Sequence, residues 1–457
     1  MACGTTLFVL YKPCTSASLG GIKKYFYFST RVLNLAFKVS YPNAYLRYPK
    51  HSGLFKLSES ATTRHPMKFF PTILLIFNFL AATSQDKTTL EAGSEQVPEY
   101  LPEILGRNVA VVANHTSLVK GVHLVDTLLS SGVKVRRIFS PEHGFRGNFE
   151  AGIPVASSTD YQTGLPVVSL YGGSKQPTKE QLRDIEVVLF DLQDVGVRFY
   201  TYLSTLHYMM EACAINNVRL IVLDRPNPNG FYVDGPVLDT ANRSFVGLHP
   251  VPLVYGMTVG EFALMINGEG WLSKSRKCNL SVIPCKGYSH RITMPLPVKP
   301  SPNLPNHLAV LLYPSLGLFE GTAVSVGRGT DYPFQMFGYP AFPLRNFWFL
   351  PVEKKGASTN PPYKGKKCYG IDLRDYPVEY FLGKKSINIE WLVYAYNTYP
   401  TKSKFFNSFF RLLAGTDELQ RQIEGGMSAD EIRRSWSDDL AKYRLIRKKY
   451  LLYSDFD

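Results

Sequence analysis

The chain has 457 residues, is 45% hydrophobic and carries a formal net charge of +14. That length and apolar content sustain two or three domains with a true core and exclude a disordered chain. The charge by itself suggests nucleic acid, but it is unevenly placed: nine Lys and Arg against the single acid Glu59 put +8 into residues 1–66, leaving +6 on all the rest, with no basic stripe interleaved with aromatics. Nucleic acid is therefore not an expected partner.

The best export signal lies inside the chain. Met67-Lys68 precedes an apolar run from Phe69 to Leu80 and the small residues Ala81-Ala82-Thr83-Ser84. The run is shorter than the roughly 20 residues a membrane span needs, so a cleaved signal peptide over 67–84 is expected and a stable membrane anchor is not. Translation is then expected to begin at Met67, with residues 1–66 an upstream extension and 85–96 a polar linker. The mature protein is expected in the periplasm or outside the cell. The six cysteines form no CxxC pair and no Cys/His zinc spacing, so neither a metal nor another cofactor is expected. Cys278 and Cys285 are close enough to bridge if the fold brings them together in an oxidising compartment.

From residue 108 the chain alternates β-branched runs with helical stretches. The runs are 108–113, 133–139, 166–170, 186–190 and 219–223, and the stretches between them are 121–131, 178–184 and 201–216. This alternation predicts an α/β fold in which crossover helices join the strands of a doubly wound, Rossmann-like parallel sheet. Thr258 and Glu261 are spaced for a capping box opening a further helix. Beyond residue 290 a proline-studded passage and an aromatic, Lys-rich tail change the character of the chain. The expected organisation is a catalytic domain over 97–290 and a smaller C-terminal α/β domain over 291–457 that packs over its rim.

Ligands of such sheets bind at the carboxyl ends of the strands, and those ends are unusually polar here. They carry Asn114; Glu142 and His143; Asp191, Gln193, Asp194 and Arg198; and Asp224, Arg225 and Asn227. Serine-hydrolase elbows, zinc-protease helices, phosphate loops and dinucleotide fingerprints are missing. Carboxylates with amides and arginines remain, a set suited to glycoside hydrolysis, in which one acid protonates the leaving oxygen. Glu142 is the first candidate acid, with capping of the next helix as its bland alternative. Asp191 and Asp194 compete for a second role, each with a structural ion pair as the alternative, as for Asp224. His143 is a candidate to orient Glu142, and Tyr200 and Tyr202 are candidates to stack on a sugar or to fill the core. From the second domain Asn303, Asn306, Glu320, Arg328 and Asp331 are placed to close the cleft.

Four long segments go further: Phe139-Ser140-Pro141-Glu142-His143-Gly144-Phe145-Arg146-Gly147, Asp191-Leu192-Gln193-Asp194-Val195-Gly196-Val197-Arg198-Phe199-Tyr200-Thr201-Tyr202, Leu223-Asp224-Arg225-Pro226-Asn227-Pro228 and Phe319-Glu320-Gly321-Thr322. In these the chain resembles the exo-β-N-acetylmuramidase (NamZ) family from about residue 100 to its end. The one departure is Val197 where alanine is expected. The resemblance implies a Rossmann-like domain with a smaller C-terminal one and release of N-acetylmuramic acid from the non-reducing end of peptidoglycan fragments, in cell-wall recycling. It also places Glu142 as the catalytic glutamate. Muramic acid carries a lactyl carboxylate, for which Arg198, Arg225 and Arg328 are candidate holders. The second catalytic group is open between Asp191, Asp194 and the substrate's own acetamido oxygen. A peptidoglycan- or sugar-binding protein without turnover is the alternative reading.

Overall fold

The computed structural model describes residues 89–146, 152–153 and 156–456. The expected signal peptide over 67–84 and the upstream extension lie outside them. Six parallel strands form the main sheet: β1 (Asn108–Ala113), β2 (Lys134–Ser140), β4 (Pro166–Ser169), β5 (Val187–Asp191), β6 (Arg219–Leu223) and β7 (Leu280–Ile283). The short β3 (Ser158–Thr159) adds an antiparallel edge, giving the spatial order β3-β4-β2-β1-β5-β6-β7. Counting the parallel strands alone along the chain, the order is 3-2-1-4-5-6, the doubly wound Rossmann arrangement with its switch point between β1 and β5. The expected strands fall within one or two residues of these; β7 and the short edge strand β3 are the two that the sequence expectation lacks.

Both faces of the sheet are buried, because successive residues of each central strand enter different cores. Ala110, Val112, Val188, Phe190, Leu220 and Val222 face one core, while Val109, Val111, Val187, Leu189, Ile221 and Leu223 face the other. The second face is covered by α1 (Val97–Ile104) and α2 (Leu124–Ser130), and the first by α3 (Lys179–Leu182), α4 (Tyr202–Asn216) and α5 (Val259–Gly268). The capping box at Thr258 and Glu261 opens α5 as expected, and a second at Thr178 and Gln181 opens α3. Gly260 matters to this packing, since a Cβ there would lie 2.6 Å from Val282 and 2.7 Å from the Asp224 carboxyl.

The fold begins earlier than the expected linker allows. Glu91 bridges to Lys286, and Ser94, buried, accepts from Arg225. At the other end of the chain α6 (His307–Leu316) leads into a small antiparallel sheet, β8 (Met336–Tyr339), β9 (Trp348–Phe349) and β10 (Cys368–Asp372), and a set of short helices. Apolar side chains of this part, among them Leu312, Phe319, Phe337 and Leu413, join the same core as the first face of the main sheet. The tail then returns to β6 and α5: Tyr453 donates to Asp224 (2.5 Å), and the Leu452 amide donates to Glu261 (2.8 Å). Cys278 and Cys285 do not bridge; all four described cysteines are free and buried, and Cys278 lies against Cys213 instead.

Candidate active site

Past the end of β2 the chain turns sharply. His143 (φ 72°) and Gly144 (φ 75°) are consecutive left-handed residues, and the Gly144 amide closes the turn on the Pro141 carbonyl at 3.1 Å. Such a conformation is costly for histidine and free for glycine, so the turn is held by its surroundings rather than by local preference. It carries Glu142 into a web of donors. Thr201, at the start of α4, donates its hydroxyl to Oε2 (2.7 Å), and the Gly152 amide donates to Oε1 (2.7 Å). Tyr171, just past β4, also hydrogen-bonds Glu142; burial and then this carboxylate raise its phenol pKa. Two of these three partners are hydroxyls, which can rotate to accept when the carboxyl carries a proton. The amide cannot.

Glu142 and His143 form one wall of a cavity of about 580 Å³, a size typical of small-molecule sites. Tyr171, Tyr200 and Thr201 continue that wall, while Ser301, Asn303, Tyr313, Glu320, Arg328, Phe334 and the 357–360 loop face it from the C-terminal part. Each is fixed by its own contacts. Tyr200 donates to the Pro300 carbonyl (2.7 Å), and Asn303 donates to that of Ala357 (2.8 Å). Arg328 donates from Nε to Glu320 (2.6 Å), and its guanidinium carbon lies 5.1 Å from the Phe334 ring centre. Burial works against the Arg328 charge, but Glu320 outweighs it and the guanidinium pKa rises. Glu142 and Glu320 are the two carboxylates on this wall, and Arg328 its one Lys or Arg, among the described residues.

The other expected site residues sit elsewhere. Asp191, wholly buried, holds Arg225 bidentately at 2.5 and 2.8 Å, and Arg225 reaches on to Ser94. Arg198 contacts no carboxylate among the described residues: it donates to the carbonyls of Pro236, Val251, Leu413 and Ala414, and burial pushes its pKa down to about 9. Asp194 accepts from the Gly196 amide (2.6 Å) and the Tyr255 hydroxyl, its Oδ1 is buried without a hydrogen-bond partner among the described residues, and burial raises its pKa to about 7. Asp224 accepts from Thr258, Gly260 and Tyr453, and burial lifts it to about 6. Gln193 donates to two carbonyls, and Asn227 donates to that of Met257 while accepting from the Asn229 amide. Asn114 donates to the Tyr202 hydroxyl (2.7 Å), behind Tyr200 rather than on the wall. Asn306 caps α6, and Asp331 pairs with Lys354 on the surface. The expectation that four strand ends converge on ligand is thus corrected: the ends of β1, β5 and β6 are consumed in tying loops together.

Two family models match this chain, the N-terminal part of exo-beta-N-acetylmuramidase NamZ over residues 109–308 and its C-terminal part over 311–453. The chain belongs to the exo-beta-N-acetylmuramidase NamZ family. A peptidoglycan beta-N-acetylmuramidase NamZ of Bacillus subtilis (strain 168) is 36% identical over 414 residues, spanning 84% of this chain and 98% of that protein. Among solved structures, a DUF1343 family protein from Bacteroides fragilis is 46% identical with a TM-score of 0.75, covering 80% of this chain and 100% of that one. A second from the same organism is 29% identical with a TM-score of 0.64, covering 80% and 99%. Members of the NamZ family are glycosidases, and this chain is one. The join between the two NamZ parts, at residues 308–311, falls at the start of α6.

Tyr171, Thr201, Ser301 and Tyr313 are wall residues that the sequence reading gave no role. A signal for the first existed: Leu170-Tyr171-Gly172-Gly173 is the end of a parallel strand, as polar and glycine-rich as the ends that were singled out. Thr201 lay in a quoted motif between two tyrosines that drew the attention to ring stacking. Ser301 and Tyr313 carry no local signal, since only tertiary packing brings them to Glu142.

Proposed function

We propose that the protein is an exo-acting glycoside hydrolase that releases N-acetylmuramic acid from the non-reducing end of peptidoglycan fragments, with Glu142 as general acid. The observation that carries this reading is the placement of Glu142: a carboxyl on the wall of a sugar-sized cavity, at 2.7 Å from a hydroxyl able to reverse its hydrogen bond. In that role Glu142 gives its proton to the glycosidic oxygen as the bond to the anomeric carbon breaks, and Thr201 and Tyr171 hold the carboxyl in one orientation. The printed activity of the Bacillus subtilis relative supports the substrate. Asp191 and Asp194, off the wall, take no direct part.

The test is product analysis on a defined disaccharide of N-acetylmuramic acid β-linked to N-acetylglucosamine. Equal amounts of the two free sugars are expected. Recovery of intact disaccharide after saturable binding identifies a binding protein instead, and an unsaturated sugar or free acetate identifies a lyase or an esterase. We also read residues 67–84 as a signal peptide and the mature protein as exported. N-terminal sequencing is expected to start near Gln85, and any peptide from residues 12–56 overturns that reading.

A further inference from the structure

Of the three arginines able to hold the lactyl carboxylate of a muramic acid, the structure assigns the task to Arg328. The inference rests on the proposed substrate and adds how the cavity tells that sugar from N-acetylglucosamine, which is identical but for the lactyl ether. Arg198 and Arg225 are removed by their contacts, the one committed to four backbone carbonyls and the other to Asp191 and Ser94. Arg328 differs in both respects. It lines the cavity, and Glu320 occupies only its Nε. Its two Nη nitrogens have no hydrogen-bond partner among the described residues, and neither is sealed from solvent.

A guanidinium offers two edges to carboxylates, one through Nε and one through the Nη pair. Glu320 on the first edge fixes the plane of the group, and Phe334 lies alongside it. The second edge is thereby aimed into the cavity, ready to take a carboxylate bidentately. The surroundings make this selective. With no other Lys or Arg on the wall among the described residues, an anionic substituent gains a full charge-assisted pair only there. A sugar without the lactyl group leaves that edge unsatisfied, and a site built around a polar partner discriminates strongly against a ligand lacking it.

The experiment changes both sides of the contact. Chromogenic β-glycosides of N-acetylmuramic acid, of its lactyl carboxamide and of N-acetylglucosamine are compared on the full-length enzyme and on Arg328→Gln and Arg328→Lys. The native enzyme is expected to prefer the muramide over the carboxamide by roughly 10²-fold in kcat/KM, mostly through KM. In Arg328→Gln that preference collapses to near unity, and Arg328→Lys restores part of it. The substrate-side comparison needs no variant to fold. A native enzyme that hydrolyses the muramide and its carboxamide equally well overturns the assignment to Arg328 and leaves the hydrolase reading intact. A preference that survives Arg328→Gln likewise overturns it. No hydrolysis of any of the three sinks the function proposed above instead.

Discussion

Glu142 and Asp194 are both acids just beyond the carboxyl end of a parallel strand, in the same sheet, and their surroundings make them different chemical objects. Around Asp194 the loops after β1, β5 and β6 satisfy one another: Arg225 neutralises Asp191, Gln193 ties two carbonyls, and Tyr255 caps Asp194. None of these side chains lines the cavity. Around Glu142 the partners are two hydroxyls and one amide, and the cavity lies beside them. A strand end becomes a site when its polar groups are left with something to do; elsewhere the same residue types act as mortar.

Substitutions at the two ends should therefore separate activity from stability. On the disaccharide, Glu142→Gln is expected to lower kcat by about 10³-fold, the usual worth of a general acid, with the thermal midpoint little changed. A large loss of midpoint together with activity would make Glu142 a structural residue after all. Asp191→Ala should behave the other way: it strands the buried Arg225 charge and is expected to cost about 3–5 kcal/mol in urea unfolding. Soluble Asp191→Ala with native stability would break the comparison. Tyr171→Phe removes one hydrogen bond from Glu142 and nothing else on the wall, so about tenfold in kcat is expected, read from steady-state kinetics of the folded variant.

The smallest effect is one of pH. Burial raises Asp194 in the folded protein to about 7, above its value in the unfolded chain, so the folded state binds this proton more tightly. Its contribution to stability is full at low pH and is lost as pH rises through about 7. Asp224, raised to about 6, acts in the same direction. Asn at 194 keeps an acceptor for Tyr255 and cannot ionise. Thermal midpoints of native protein and Asp194→Asn, followed from pH 5 to 8, should diverge with the native curve falling further. Parallel curves would show that Asp194 does not titrate in this window.

The architecture was legible because the strands are short, β-branched and buried on both faces, so their positions did not depend on distant contacts. Val187–Asp191 is apolar until its last residue, and that alone marks it as central. The function of the residues beyond it was not legible to the same degree. Asp191 and Glu142 look alike in sequence; what separates them is that Arg225, itself bonded to Ser94, closes on Asp191 while Glu142 lines the cavity, a fact of tertiary packing. Arg198 shows the same limit. Its carbonyl partners come from near residues 236, 251 and 413–414, and no window around Arg198 contains them. Glu142 itself stood out because of the motif surrounding it, and the resemblance to a family supplied what periodicity could not.

The return of the tail to Asp224 and Glu261 also bears on where the protein can be shortened. Asp224 follows a central strand of the sheet, yet one of its hydrogen bonds comes from Tyr453, 229 residues further along the chain. The polar end of the sheet is therefore completed by a segment remote in sequence, and a truncation that removes Tyr453 leaves a buried carboxylate one donor short.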